Sequence, residues 1–367
     1  MSRWITLSLL VVGTASTPAM ANSVEFAVVS LASDQLGGGK VLDSNLVNAW
    51  GITATPTSPF WIADNGTGTS VLYNGAGDKL ALTVTIPGDG SVTGVAFSGV
   101  SGSFNNDLFL FDSEDGTVSG WRGALGTTAE VLQTGIPDNV YKGIATADIG
   151  GDEYAYLANF RNGTIDVLKG NPGAPNLTGN FTDPNLPSGY APFDVQNLDG
   201  TLYVTYAVQD GAKHDDVSGL GNGIVDKFDL QGNFVERVVT GGALNSPWGL
   251  ALAPVGFGDM GGDLLVGNFG DGLIHAYDPV TGALLETVEN SHGNPLAIDG
   301  LWGLRFGNGA NSGKTTTLYF TAGPDGESHG QFGELVPTPE PGAWVLTSSG
   351  LAFLALAARR RRGPPAA

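Results

Sequence analysis

The 367-residue chain contains no cysteine. Disulfides, thiolate metal sites and cysteine nucleophiles are therefore excluded, and an exported protein of this kind must draw its stability from a sizeable core. Histidine is almost as scarce. His214, His275, His292 and His329 are scattered, without the HExxH spacing of a zinc protease, so a dedicated zinc site is not expected. Gly-x-Ser-x-Gly is absent, and Ser101-Gly102 lies in a loop with no strand-to-helix elbow. Gly37-Gly38-Gly39-Lys40 has the wrong spacing for a phosphate loop and lacks the Ser or Thr after its lysine. Charge is sparse and one-sided: 16 Lys and Arg stand against 36 Asp and Glu, for a formal net charge of −20. Five of the basic residues, Arg3 and Arg359 to Arg362, lie at the two ends, so the body is more acidic still. Such a surface repels phosphate backbones and argues against nucleic acid as a partner; solubility, or attraction of calcium, fits it.

What the chain has in abundance is glycine, 57 residues, which suits many tight turns. These turns recur. Six segments open on a short strand at Trp50-Gly51, Thr93-Gly94, Lys142-Gly143, Pro192-Phe193, Trp248-Gly249 and Trp302-Gly303, spaced 43 to 56 residues apart. Each is followed by an apolar strand and a turn such as Asn65-Gly66, Asn162-Gly163 or Asp271-Gly272. Such dipeptides accept positive φ and signal hairpins. After the turn comes an alternating strand, as in Leu273-Ile274-His275-Ala276-Tyr277. The period is that of a four-stranded propeller blade with its loops, so the pattern predicts an all-β fold, a six-bladed β-propeller over residues 22–335. A pair of β-sandwiches would not require one hairpin at near-constant spacing.

The sixth repeat runs out near Leu335 without a fourth strand, while Phe26 to Leu31 reads as an orphan strand before the first repeat. Joining the two would latch the ring and hide an exposed edge. The glycines after the opening tryptophans suit inner strands that converge on an axis, and Trp50, Trp248 and Trp302 read as packing between blades.

Both ends carry export features. Arg3, the apolar stretch Trp4 to Gly13 and the small residues around Ala19-Met20-Ala21 predict a signal peptide over residues 1–21; an uncleaved anchor is the alternative. Over residues 336–367, Pro339-Glu340-Pro341 precedes an apolar run, Gly342 to Ala358, and then Arg359, Arg360, Arg361 and Arg362. As a helix that run measures roughly 25 Å, enough for a single membrane span with the arginines held in the cytoplasm. An N-terminal signal helix and a C-terminal transmembrane helix are thus expected, with the body outside the cytoplasm.

This tail resembles the PEP-CTERM sorting signal, which implies a membrane-embedded exosortase as a partner and a cell-envelope or surface destination in a bacterium that makes exopolysaccharide. A permanent anchor is the alternative. The body also resembles a family of uncharacterised exported bacterial propellers, through Leu46-Val47-Asn48-Ala49-Trp50-Gly51, Asn245-Ser246-Pro247-Trp248-Gly249-Leu250 and Asp299-Gly300-Leu301-Trp302-Gly303-Leu304. More loosely its repeats are similar to NHL blades, a fold that implies either protein-binding modules or metal-dependent lyases and lactonases.

In a propeller the loops leading into the first strands and the hairpins after the second strands share one face, where function usually lies. Asp64, Asp112, Asn159 and Asn268 end second strands, and Asn48, Tyr141, Lys142, Asn245 and Asp299 lead into first strands. The first four are candidate metal ligands and the other five candidate ligand-binding residues. No motif requires a cofactor, but a ring of oxygen donors suits a hard cation such as calcium. Alternatively these Asp and Asn side chains only cap turns. The insertion from Gln209 to Asn222, with Asp210, His214, Asp215 and Asp216, is either a solvated flap or a lid with a further cation site. Without an identifiable catalytic set, the sequence favours a non-catalytic binding or scaffold module for an envelope or matrix protein or glycan. A calcium-assisted hydrolase or lyase at the axial mouth is the alternative.

Overall fold

The computed structural model describes residues 24–338. The expected signal peptide and the PEP-CTERM-like tail, including its apolar span, lie outside these residues. Among the described residues no helix is long and apolar enough to cross a membrane.

The described chain is all-β and forms six sheets, as the repeat predicts. Their innermost strands are Ala49–Thr53, Val92–Phe97, Tyr141–Ile149, Tyr190–Leu198, Pro247–Leu252 and Leu301–Phe306. Each packs against the next, and the sixth returns to the first, which closes the ring. Blade 1 shows the common plan: Ala49–Thr53, Phe60–Asp64, Thr69–Tyr73 and Lys79–Thr85 pair antiparallel in chain order. Its second strand is buried throughout, because blades cover both of its faces.

In five of the six inner strands the third residue is glycine, blade 4 with Tyr190-Ala191-Pro192 being the exception, because neighbouring blades leave no room for a side chain. A Cβ on Gly51 would stand 2.7 Å from the Val95 nitrogen of blade 2. One on Gly94 would stand 2.8 Å from the Ile144 nitrogen of blade 3. Strand convergence at the axis therefore sets the residue type.

Closure follows the orphan-strand reading. Glu25–Ser33 pairs antiparallel with Gln331–Pro337 and completes blade 6 from the opposite end of the chain. Blade 3 departs from the four-stranded plan, with only Tyr141–Ile149, Asp152–Asn159 and Thr164–Lys169. The segment where a fourth strand would run contains Pro172, Pro175, Pro184 and Pro187, which cannot donate to a sheet ladder. It leans on blade 4 instead: the Gly179 and Phe181 nitrogens donate to the Gln231 and Gly232 carbonyls at 2.8 and 2.9 Å, and Asp183 pairs with Arg237.

Candidate functional site at the axial mouth

The three opening tryptophans do more than pack between adjacent blades. Trp50, Trp248 and Trp302 come from blades 1, 5 and 6 and meet one another, with Phe160 and Phe193, in one buried cluster against which the half-buried Phe269 packs. Trp50 stacks on Trp302 with centroids 3.8 Å apart, and Phe269 stacks on the same indole at 4.0 Å. Trp248 meets both Trp50 and Trp302 edge-on. This aromatic plug closes the axis beneath the face where the loops converge.

Above the plug lies a charged cluster assembled from five blades. Lys142, at the start of the third inner strand, is buried, with its ammonium 5.2 Å from the Trp50 ring centroid. It pairs with Glu114, from the hairpin of blade 2, and lies 3.4 Å from Asp215 in the blade 4 insertion. Asp215 Oδ1 is also 2.8 Å from Nδ1 of His214. On the far side, Asn48 of blade 1 donates to Glu327 of blade 6 at 2.8 Å and to Asn65 at 3.2 Å, and its Oδ1 accepts from the Trp302 indole at 3.1 Å. Asn65 in turn donates to Glu114 at 3.3 Å.

The backbone supports this convergence. Asn48 and Glu327 both take left-handed conformations, with φ of 47° and 67°. Asn tolerates that region, whereas for Glu it stores strain that a functional position commonly holds. Burial raises the Glu327 carboxyl above its ordinary value; Asn48 and Lys142 oppose the rise, while Glu114 and Asp215 add to it. Burial also works against the charge of Asp215, but His214 and Lys142 outweigh it and hold that carboxyl below the usual range. Ligand atoms of Glu114, His214 and Asp215 all lie within 4.8 Å of one another.

Of the residues singled out from the sequence, Asn48 and Lys142 stand at this mouth. Tyr141, their neighbour in sequence, is buried between blades, where its hydroxyl meets Gln133, Asn139 and Asp166 at 3.0, 2.7 and 3.1 Å. Asn245 bonds to the Gly219 nitrogen at 2.6 Å and to Asp271 at 3.2 Å, and exposed Asp299 accepts from the Asp325 nitrogen at 2.9 Å.

The four second-strand residues are not gathered by hydrogen bonds around one point, and each bonds within its own blade. Asp64 accepts from Thr69 at 3.3 Å. Asp112 accepts from the Gly94 nitrogen at 2.7 Å and from Thr93 at 3.1 Å. Asn159 donates to Asn139 and Asp166, and Asn268 donates to Ala243 and Asp271. Burial raises the carboxyls of Asp64 and Asp112, the latter to about 7. The insertion from Gln209 to Asn222 reaches the mouth through His214 and Asp215. Glu114 and Glu327 escaped the sequence reading; their only signal is an acid flanking the turns Asp115-Gly116 and Asp325-Gly326.

No protein-family profile matches the chain. It is 34% identical over 294 residues to the uncharacterized protein R648 of Acanthamoeba polyphaga mimivirus, across 75% of this chain and 72% of the relative. It is 32% identical over 314 residues to the uncharacterized protein L690 of the same virus, across 80% and 81%. The chain belongs to the family of these mimivirus proteins. Family membership brings no activity with it, and these relatives are viral where the resemblance implied exported bacterial proteins. Among solved structures, a glucose dehydrogenase is similar with a TM-score of 0.52 at 13% identity, covering 85% of this chain and all of that one. Regucalcin, a calcium-binding protein from Agrobacterium tumefaciens, gives 0.50 at 15% identity, covering 86% and 95%. At such identities the likeness shows the fold alone, a six-bladed β-propeller.

Proposed function

We propose that the chain is a hydrolase or lyase acting on a small polar molecule at the axial mouth, with a divalent cation held there. The observation that carries this reading is the convergence of Glu114, His214 and Asp215 within 4.8 Å of one another. The donor set fits such a group, since two carboxylates and an imidazole are all competent ligands. The imidazole favours manganese or zinc alongside the calcium that oxygen donors alone would suit. A divalent cation, when bound, polarises a carbonyl or activates water.

The remaining roles fall to the chain's own groups. Asp215 orients the His214 ring through Nδ1. Lys142 offers a fixed positive charge toward a developing oxyanion. The tryptophan plug excludes water from below. Similarity in fold to a calcium-binding protein and to a dehydrogenase supports a small-molecule site only by analogy.

A binding module for an envelope protein or glycan would be expected to display aromatic rings on its rim. All five tryptophans among the described residues, Trp50, Trp61, Trp121, Trp248 and Trp302, are buried, which favours the catalytic reading. Calorimetry with Mn²⁺ and Ca²⁺ on the full chain tests it. Binding near one equivalent, lost in Glu114→Gln, is the expected result, followed by hydrolysis in a screen of lactones and esters. Absence of heat with both cations sinks the proposal.

The destination is proposed from the sequence alone. The signal peptide, the Pro339-Glu340-Pro341 triplet and Arg359 to Arg362 support export, transient attachment to the inner membrane and handling by an exosortase, with delivery to the envelope or an exopolysaccharide matrix. Deleting Pro339 to Arg362 should then release the protein into the medium or periplasm, and unchanged localisation would refute the sorting role.

A further inference from the structure

The inner strands end on the face opposite the axial mouth, and their last residues wall a second funnel. Two adjoining cavities of about 590 and 150 Å³ share Gln196, Asn197 and Arg305. The larger has an apolar wall of Leu250, Leu252, Pro254, Leu304 and Phe306 facing a polar one of Gln196, Asn197, Asp199 and Arg305. Arg305 sits at the junction of the two. Its Nη2 donates to the Ala54 carbonyl at 3.1 Å, a small part of what a guanidinium with five N–H donors can give. Among the described residues no carboxylate forms an ion pair with it, in a chain where acids outnumber bases more than two to one. Burial pushes its pKa down to about 10, and no neighbouring charge offsets that effect. A partly desolvated cation without an anion is costly, and a bound anion would relieve the cost.

We propose that this funnel binds an amphiphilic monocarboxylate, with its head group on the Arg305 guanidinium and its apolar chain along Leu250, Leu252, Leu304 and Phe306. The planar fork of the guanidinium matches a carboxylate in two parallel hydrogen bonds. A single charge balances a single arginine, whereas a phosphate dianion would leave excess charge against apolar walls in a strongly acidic protein. The tryptophan plug separates this funnel from the mouth, so the proposal stands independently of any catalysis there.

Calorimetry of the full chain with sodium octanoate, methyl octanoate and inorganic phosphate tests it. Octanoate should bind near one equivalent, and Arg305→Gln should weaken it about tenfold or more, the scale of losing a charge-assisted bidentate pair. Glu114→Gln on the opposite face should leave octanoate affinity unchanged. The proposal is overturned if octanoate gives no heat, if Arg305→Gln binds it equally well, if methyl octanoate binds as tightly, or if phosphate binds more tightly. Should Arg305→Gln fail to fold by circular dichroism, Val255→Glu decides. Val255 is 93% exposed and lines the same cavity, so a carboxylate there leaves the core intact and repels the ligand. Octanoate affinity should then fall several-fold at low salt and recover as salt screens the charge; an unchanged affinity overturns the assignment.

Discussion

The indole nitrogen of Trp248 donates to the carbonyl oxygen of Lys142 at 2.9 Å, a bond that runs from blade 5 to blade 3 across the axis. Blades that are not neighbours in the ring are thereby tied through its centre, and the strand that presents the Lys142 ammonium to the mouth is fixed from below. Trp248→Phe keeps most of the apolar volume but leaves a buried carbonyl short of a donor, which costs about 1–3 kcal/mol. Trp248→Ala also opens a cavity in the plug and should cost about 3–5 kcal/mol. Urea unfolding measures both, and equal midpoints for Trp248→Phe and the wild type would show that the cross-axis bond contributes nothing.

Beside His214, which meets Asp215, Lys142 is the one lysine or arginine among the described residues that pairs with Glu114 and Asp215, and its charge also acts on Glu327. Lys142→Met removes that countercharge and leaves the acids facing one another. Breaking a buried pair on one side costs about 3 kcal/mol or more. The same change should strengthen binding of a divalent cation, because the ammonium no longer competes for the carboxylates. Thermal melts with chelator and with Mn²⁺ check both effects. Lys142→Met should melt below the wild type in chelator and gain more from Mn²⁺. An equal gain in the two proteins would count against a cation at this cluster.

The fold was largely legible in the sequence, because convergence at the axis imposes its own residue types. Gly51 and Gly249 must be small, the hairpins need Asn-Gly or Asp-Gly, and Phe26 to Leu31 had no partner within its own repeat. Blade 3 broke the pattern through its prolines, whose effect on a single missing strand does not show as periodicity. At the mouth, Asn48 and Lys142 were legible from their positions before inner strands. Glu114 and Glu327 were not, since which turn residue points inward depends on local backbone angles such as the positive φ at Glu327. Asp112 and Asn159 illustrate the converse. Both lie at the ends of second strands, but strand position does not decide whether a carboxamide or carboxylate faces a ligand or its own backbone. Here they bond to Gly94, Asn139 and Asp166 within their own blades.

Asp112 also sets a pH dependence. Burial raises its carboxyl from an ordinary 3.8 to about 7, and its Oδ2 has no hydrogen-bond partner. The folded protein therefore holds a proton that the unfolded chain releases above about pH 4. Its contribution to stability is fully present below that point, is lost as pH rises toward 7, and is flat beyond. The effect is on the order of 4 kcal/mol at most. Asp194 is buried with its carboxyl raised in the same direction. Urea midpoints should thus fall from pH 5 to pH 7.5, and Asp112→Asn should flatten part of that slope. A midpoint that rises over this range would contradict the assignment.

Ring closure gives the last test. Phe26 is 1% exposed and stacks on Phe257 of blade 5, with centroids 5.2 Å apart, while its own strand pairs with Gln331–Pro337 of blade 6. One side chain near the start of the described chain thus pins the latch to two blades that follow it by more than 200 residues. Phe26→Ala removes that contact and should cost about 3–5 kcal/mol. Because the latch is, among the described residues, the only junction where distant parts of the chain complete one blade, its loss should also expose the edge of Gln331–Pro337. Limited proteolysis should then cut near that strand before the interior blades, with the urea midpoint lowered in parallel. Cleavage spread evenly over all six blades would mean that the ring does not open at the latch, and that its stability is shared by every seam.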